Sequence, residues 1–533
     1  MTIHIKETFS FDRLPPEVIS MILHYSSDVD VHHFRQTNHY HRAVVDNDLT
    51  LMYTQKVMSL ELEQALKKAK DPLKTLIEHP KAVRMSKSPI LVKAEKVTTE
   101  ALKENDASLA EHNLTYGLRG DVSHLQLHGI QQLVHLSFTR KGPFLQRGEF
   151  ASLPTHLSSL QMTSCALKRC PDLRHLNALH HLDLSSNAIG RRTILDARRF
   201  PASLCTLNLA KNDLYKLAHL GHLADLQHFD VHSNPDLLLP EVDFRGLQKL
   251  RYINFSETFI HEDDPGADGE TLYDLDKFLL PHSLEIIVCN LLDCFWALGD
   301  LSTFTSLKRL ETVGTHFSQE ASFTLPISLQ QLIGASVSPE NNLEELVNLV
   351  ELDTEVWAPG WYEHEYVNFP PNLQSLRVFG LGKYDAVFSI IRGIDNLVHL
   401  DLGGNHFAAL LHSAFPPKLY SLNLSDNALT SLADAKFPAT LQSLDLSKNH
   451  LVEVADVLPA QLKTLDLSRN KLDRLDCTTL PVGLTTLFAG HNQIRTIHQM
   501  ERLVGLQRCS LEMNHLQNLK GVVLPAKLTR LRL

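Results

Sequence analysis

A pattern of leucine and polar positions recurs along most of the chain. In LQSLDLSKNHL, residues 441–451, leucine stands at positions 1, 4 and 6, asparagine at position 9 and an apolar residue at position 11. Apolar and polar residues alternate around positions 4 to 6, so each unit predicts a short strand with its leucines on one side. The frame begins at eighteen places, in steps of 20–25 residues apart from one step of 34: 133, 157, 179, 204, 226, 250, 284, 307, 329, 349, 373, 397, 419, 441, 462, 484, 506 and 528.

The remainder of each unit takes one of two forms. In one form leucines recur at three-residue intervals, as in LAHLGHLADLQHF at 217–229. This spacing suits a 3₁₀ turn. In the other form a proline, which ends a helix and favours an extended entry to a strand, stands three residues before the first leucine. These prolines are Pro154, Pro201, Pro281, Pro326, Pro370, Pro416, Pro438, Pro459, Pro481 and Pro525.

Segments such as 441–451 and LKTLDLSRNKL at 462–472 resemble leucine-rich repeats. The resemblance implies an α/β fold, a curved right-handed solenoid of about eighteen repeats with one parallel strand each and a convex side of 3₁₀ and extended segments. The proline form resembles the repeats of bacterial effectors, and the leucine-spaced form resembles those of phosphatase-regulating scaffolds. In the family, the position-9 asparagine turns inward and bonds backbone groups of neighbouring turns. Here it occurs as Asn187, Asn212, Asn234, Asn405, Asn427, Asn449, Asn470, Asn492 and Asn514.

The segment before the repeats predicts a small helical module. Val18, Ile22 and Tyr25 fall at helical spacing behind Leu14-Pro15-Pro16-Glu17, and proline is well tolerated at a helix start. We divide the chain into a tail (1–9), this module (10–58), a helical linker or N-terminal cap (59–112) and the repeat solenoid (113–533).

The opening of that module resembles the F-box. The resemblance implies binding to a Skp-type adaptor of a cullin-based ubiquitin ligase, with these residues at the contact: Leu14, Pro15, Glu17, Val18 and Ile22. Ser26 departs from the family's usual leucine, and a tryptophan of the third helix is missing near Tyr40. The alternative is a helical cap that shields the first repeat.

Composition argues against some classes of protein and for a location inside the cell. The chain has 533 residues and a formal net charge of −10, which argues against a general nucleic-acid binder because such proteins need a basic surface. Seven cysteines, an odd number, predict buried thiols in a reducing compartment rather than a disulfide framework. Without an apolar leader or a long apolar run, we expect an intracellular protein, cytoplasmic or nuclear.

Two surfaces are candidates for binding a protein partner. Aspartate recurs at strand position 5 and predicts an acidic track for a basic partner, at Asp353, Asp401, Asp445 and Asp466. The alternative is that these are ordinary solvated strand residues. Between Asn234 and Asn405 the asparagines lapse, and this block contains the aromatic residues Trp357, Trp361 and Tyr362. Since Trp and Tyr are enriched at interface hot spots, this block predicts a partner site. The alternative is that its sequence has simply drifted from the repeat.

No motif predicts catalysis, a metal or a cofactor. DPGADG at 264–269 lacks the ligands of a calcium loop, and GLGKY at 380–384 is not a P-loop. His228, Asp230 and His232 lie too far apart along an extended strand to hold one tetrahedral metal. We therefore expect a non-catalytic adaptor that binds a protein substrate on its repeats. The alternatives are a plain interaction scaffold or effector, and a hydrolase hidden in the irregular middle, for which no triad is visible.

Overall fold

The computed structural model describes residues 68–80, 90–122, 125–138, 150–191, 193–239, 242–259, 280–290, 301–313, 324–337, 342–356, 369–379, 393–410, 415–454 and 456–533, with positions 62, 65, 66, 83 and 391. Two compact units are present. The first comprises the described residues up to Ala188 together with Arg199–Leu204, and the second comprises Ile189–Arg198 and Cys205–Leu533.

In the first unit, the α-helices whose bounds the structure describes precede the predicted repeats. Helix α1 (Pro72–Glu78) follows Asp71, whose carboxylate accepts hydrogen bonds from two backbone N–H groups of the first turn. Helix α2 (Thr99–Glu111) follows Thr98, whose hydroxyl accepts one such bond. These caps satisfy donors that the start of a helix leaves without partners.

The first unit also contains a parallel sheet, in which each strand pairs with the next. Its strands are β1 (Ile90–Lys93), β2 (Tyr116–Arg119), β3 (Leu133–Ser137), β4 (Ser159–Gln161) and β5 (His181–Asp183). Strands β1 and β2 precede the first predicted repeat at 133, and β1 lies inside the segment assigned to a linker or cap. The frame did not indicate either strand, because in the register of β3 neither has a leucine at position 1, which is Pro89 for β1 and Thr115 for β2.

The second unit has one main parallel sheet and three two-stranded parallel ladders. Its strands are β6 (Ile194–Asp196), β7 (Thr206–Asn208), β8 (Lys216–Ala218), β9 (His228–Asp230), β10 (Asn234–Leu238), β11 (Tyr252–Asn254), β12 (Thr258–Phe259), β13 (Ile286–Asn290), β14 (Arg309–Val313), β15 (Gln331–Val337), β16 (Glu351–Val356), β17 (Ser375–Phe379), β18 (His399–Asp401), β19 (Ser421–Asn423), β20 (Ser443–Asp445), β21 (Thr464–Asp466), β22 (Arg474–Asp476), β23 (Thr486–Phe488), β24 (Thr496–His498), β25 (Arg508–Ser510) and β26 (Arg530–Arg532).

The ladders pair β6 with β8, β10 with β12 and β22 with β24. All other strands of this unit join the main sheet in chain order. Each main-sheet strand begins two residues after a predicted repeat start, so the predicted parallel-sheet solenoid is confirmed for this unit. Among the described residues, no helix has both the length and the apolar character needed to cross a bilayer.

The leucines of the frame form the core. In the unit that starts at 441, Leu441, Leu444, Leu446 and Leu451 are each at most 1% exposed. The register aligns Leu444 with Leu422 of β19 on one side and with Leu465 of β21 on the other. Equivalent leucines therefore stack from repeat to repeat, and each repeat buries its apolar side only against its neighbours.

The two forms of the repeat converge on the same turn. The carbonyl of Pro438 accepts a hydrogen bond from the N–H of Leu441, three residues later, at 3.1 Å, and each of the other prolines named above makes the equivalent bond. In the leucine-spaced form, the carbonyl of Leu223 bonds the N–H of Leu226 in the same way at 2.9 Å. Both are 3₁₀-type contacts. Longer 3₁₀ segments lie at Ala94–Lys96, Phe150–Ser152, Ala197–Arg199, Leu220–His222, Leu301–Thr303, Leu343–Glu345 and Met500–Arg502.

The inward-turned asparagines are confirmed. The amide nitrogen of Asn449 donates to the carbonyls of Leu424 and Leu446, at 2.9 and 3.0 Å. Its Oδ1 accepts from the N–H of Leu429 at 3.0 Å. The carbonyl of Leu424 also accepts from Asn427 at 3.0 Å. Successive asparagines therefore share backbone acceptors, and we call this series the asparagine ladder.

The strands lengthen where the ladder lapses. Strands β13 to β17 have five to seven residues, whereas the main-sheet strands of this unit on either side have three. In a regular repeat, the asparagine side chain bonds the carbonyls that follow the strand, and the chain turns there. Without it, these backbone groups can continue the sheet pairing, as Cys289 does with Thr312.

Candidate partner-binding face

Outward side chains at strand positions 3 and 5 form two rows across the main sheet of the second unit. We call this surface the strand face. Over the last seven main-sheet strands, parallel neighbours about 4.8 Å apart make it roughly 29 Å long, enough for a polypeptide segment. The position-3 row is His399, Ser421, Ser443, Thr464, Thr486, Arg508 and Arg530, and the position-5 row is Asp401, Asn423, Asp445, Asp466, Phe488, Ser510 and Arg532.

The position-5 aspartates of the three-residue strands have a structural contact that the sequence did not reveal. Oδ1 of Asp445 accepts a hydrogen bond from the N–H of Ser447 at 2.8 Å, and Asp466 makes the equivalent bond in its own turn. Asn423 does the same with Ser425 at 2.9 Å. Since an amide oxygen serves as well as a carboxylate, the turn requires the acceptor and not the negative charge.

Two of the predicted acidic residues share one arginine as an ion-pair partner. Nη1 of Arg377, at position 5 between them, lies 3.3 Å from Oδ2 of Asp353, and Nε lies 3.6 Å from Oδ2 of Asp401. The guanidinium also lies over the ring of Phe379, 5.8 Å from its centroid. Burial raises the pKa of Asp353, while Arg377 acts in the opposite direction. Arg377 therefore offsets part of the negative charge that this stretch of the face presents to a partner.

The other two predicted acidic residues remain charged neighbours. Asp445 and Asp466 are directly in register on β20 and β21, and neither forms an ion pair with a described residue. Burial is the main cause of the raised pKa of Asp466, and the charge of Asp445 adds to it. This pair is the part of the predicted acidic track that has no basic partner among the described residues.

A basic patch at the far end of the face was not indicated by the sequence analysis, which considered only acidic residues at position 5. Arg508 and Arg530 are in register on β25 and β26, and Arg532 shares the face of Arg530. All three side chains are exposed. Phe488, between the acidic and basic residues, is 38% exposed. Reading every position-5 residue in the frame would have revealed Arg377, Phe488 and Arg532.

Several predicted site residues lie outside the described part of the chain. They are Leu14, Pro15, Glu17, Val18 and Ile22 of the F-box-like segment, and Trp357, Trp361 and Tyr362 of the irregular block. Their roles stay predictions.

No cluster of three or more His, Cys, Asp or Glu side chains suited to a metal occurs among the described residues. Nδ1 of His232 lies 2.7 Å from Oδ1 of Asp230, which also accepts the backbone N–H of His232. These residues bond to each other within one turn. The arrangement therefore stabilises the turn locally.

The described cysteines are free thiols, and four of the six are buried. Burial raises the pKa of Cys165 to about 11 and that of Cys509 to about 12. The pKa of Cys477 is also raised to about 12, mainly by burial. A thiol acts as a nucleophile only as its thiolate, so these three side chains are unreactive near neutral pH.

A family model described as "Leucine Rich repeat" matches residues 170–191. No curated protein matches the chain. Among solved structures, YopM from Yersinia enterocolitica is 24% identical, with 71% of this chain and 81% of that chain covered and a TM-score of 0.40. A leucine-rich-repeat protein of Leptospira interrogans is 20% identical, with 84% and 94% covered and a TM-score of 0.47.

A third match is to a structure of the mouse RP105/MD-1 complex, at 17% identity and a TM-score of 0.41, covering 80% of this chain and 77% of that chain. At these identities the likeness concerns the fold alone. The leucine frame, the parallel register and the asparagine ladder rest on the chain's own coordinates. Together with the matched repeat, they show that this is a leucine-rich-repeat protein.

Proposed function

We propose that the chain is a non-catalytic adaptor, which binds a protein on the strand face and a Skp-type adaptor through the F-box-like segment at 10–58. The observation that supports partner binding is the strand face itself, two open rows of charged and polar side chains with the exposed Phe488 among them. Repeat solenoids generally use such extended surfaces for binding. The F-box-like role rests on the sequence LPPEVISMIL at 14–23.

The contacts of α2 favour the adaptor role over the capping role for that segment. Helix α2 already packs at the start of the first predicted repeat, where the carboxylate of Asp106 accepts the backbone N–H groups of Gln131 and Gln132, each at 3.0 Å. Leu102 and Leu109 of the same helix are fully buried. A second cap formed by 10–58 is therefore not needed to cover these leucines.

Co-purification of the full chain with a Skp-type adaptor tests the proposal. The wild type should retain the adaptor, and Leu14→Ala combined with Ile22→Ala should reduce the retained amount about tenfold, as expected when two apolar anchors are lost. Ser20→Ala is the matched control, because Ser20 falls on the opposite side of a helix from Val18 and Ile22.

Failure of the wild type to bind, or unchanged binding by the double variant, would exclude the ubiquitin-ligase role. The scaffold alternative makes the opposite prediction. Deleting residues 1–58 would then lower the thermal midpoint of the repeats, with no adaptor interaction to lose.

A further inference from the structure

The strand face carries a pair of like charges near each end of its last six strands. Asp445 and Asp466 face each other in register on β20 and β21. In-register neighbours on parallel strands are about 4.8 Å apart at their Cα atoms, and like charges in this position repel. Since the turn would be satisfied by asparagine, as at Asn423, the two negative charges are not explained by the fold.

The basic end also has two like charges in register. Arg508 and Arg530 are in register, and Arg532 projects from the same side of β26. None of the three forms an ion pair with a residue in the described ranges. A guanidinium presents a planar fork of donors that suits a carboxylate, so this end is complementary to acidic side chains.

Phe488 separates the two charged ends. Its position-5 neighbours are Asp466 on β21 and Ser510 on β25, and its ring is 38% exposed on an otherwise polar surface. An exposed aromatic between charged groups is typical of the anchor of an interface, which is apolar at the centre and polar at its rim.

We propose that this strip, from Asp445 to Arg532, binds an extended protein segment with basic side chains at one end and acidic side chains at the other. The inference rests on the proposed function, because it takes the strand face to be the partner-binding surface. The segment lies across the strands, with its basic side chains on Asp445 and Asp466 and its acidic side chains on the arginines.

Strand spacing defines the distance between the two kinds of charge in the partner. Measured across the strands, Asp466 and Arg508 are two intervals apart, about 10 Å, and Asp445 and Arg532 are four apart, about 19 Å. An extended chain advances about 3.3 Å per residue, so the basic and acidic residues are roughly three to six positions apart. The acidic pair disfavours nucleic acid, since phosphates that reached the arginines would also approach Asp466.

A labelled synthetic peptide tests the proposal on the full chain by fluorescence anisotropy at low salt. The probe has two arginines, a spacer of four glycine and serine residues, and two glutamates. It should bind the wild type about tenfold more tightly than a peptide of the same composition with alternating arginine and glutamate. An oligonucleotide of single-stranded RNA is the competing probe.

Two double variants test whether the peptide binds to the residues of this strip. Asp445→Asn with Asp466→Asn, and separately Arg508→Gln with Arg530→Gln, should each weaken peptide binding about tenfold. The asparagine variant keeps the turn acceptors, so its thermal midpoint should equal or exceed that of the wild type. Asp426→Asn is the matched control, because Asp426 is exposed beside Lys448 (3.8 Å) and lies outside both rows.

Equal binding of the two peptides, unchanged binding by both double variants, or binding of the RNA in place of the peptide would overturn the proposal. The same preparations are assayed for the Skp-type adaptor. If the chain binds the adaptor but not the peptide, only the binding strip proposed here is rejected. If the chain does not bind the adaptor, the ubiquitin-ligase role proposed above is rejected.

Discussion

Replacing Asn449 by alanine should lower the local free energy of unfolding by roughly 2–4 kcal/mol. The change leaves the buried N–H of Leu429 without its acceptor, at about 1–3 kcal/mol. It also removes the bonds that the two amide hydrogens share among the carbonyls of Leu424, Leu446 and Ser447, at about 0.5–1.5 kcal/mol for each hydrogen. The carbonyls of Leu424 and Leu446 keep partners in Asn427 and Asn470, which limits the loss. Native-state hydrogen exchange at the amides of β19 and β20 measures the effect repeat by repeat.

Sharing of acceptors makes neighbouring asparagines non-additive. Asn427→Ala combined with Asn449→Ala removes both side-chain donors to the carbonyl of Leu424, so the loss should exceed the sum of the single effects by about 0.5–3 kcal/mol. Asn427→Ala with Asn492→Ala is the control, because these residues share no acceptor. Additive behaviour of the neighbouring pair would show that the ladder is not a cooperative network.

Leu444→Ala should cost about 2–5 kcal/mol, the range for deleting a fully buried leucine side chain. Leu444 is 1% exposed and lies between Leu422 and Leu465 in the stacked core. The cavity would therefore affect three consecutive repeats. Chemical denaturation, followed together with hydrogen exchange, should show the loss centred on β20.

Ser443→Ala provides the comparison on the same strand. Ser443 points to the strand face, where a substitution away from special contacts usually changes stability by about 0.5 kcal/mol or less. An equal loss from both variants would contradict the assignment of the two sides of the sheet.

The framework of the solenoid was predictable because the residues that stabilise it recur in successive repeats. Leucine at positions 1, 4 and 6 predicts burial on one side, and asparagine at position 9 predicts the ladder, whose contacts at Asn449 match that expectation. Pro438 was expected only to end a helix and start a strand. Its carbonyl in addition closes a turn on Leu441, a contact that the other form makes with leucine at the same position.

The face was less predictable because its residues do not repeat. Asp353 and Asp445 have the same position in the frame, yet only Asp353 has an arginine beside it, and this depends on the neighbouring repeat. The residue type at position 8 did not predict the backbone conformation there either. Lys448 and Arg469 adopt the left-handed region, at φ 54° and 58°, although side chains of this kind rarely do so. Ser164 and Glu257 adopt it too, although Cys165 and Thr258 follow them in place of asparagine, so the turn, and not the residue type, determines the conformation.

We therefore propose that stability and recognition reside on opposite sides of each strand. Leucines and asparagines provide the stability, and substitutions there should unfold repeats. Side chains at positions 3 and 5 vary from repeat to repeat and contribute little to the core, so substitutions there should change binding.

Site-specific photo-cross-linking tests this division most directly. A photoreactive phenylalanine is placed at Thr486, in the position-3 row, or at Val504, which is 62% exposed in the connection before β25. We predict that the full chain in cells forms cross-linked protein adducts from position 486 and not from position 504. Adducts from 504 with none from 486 would contradict binding through the strand face.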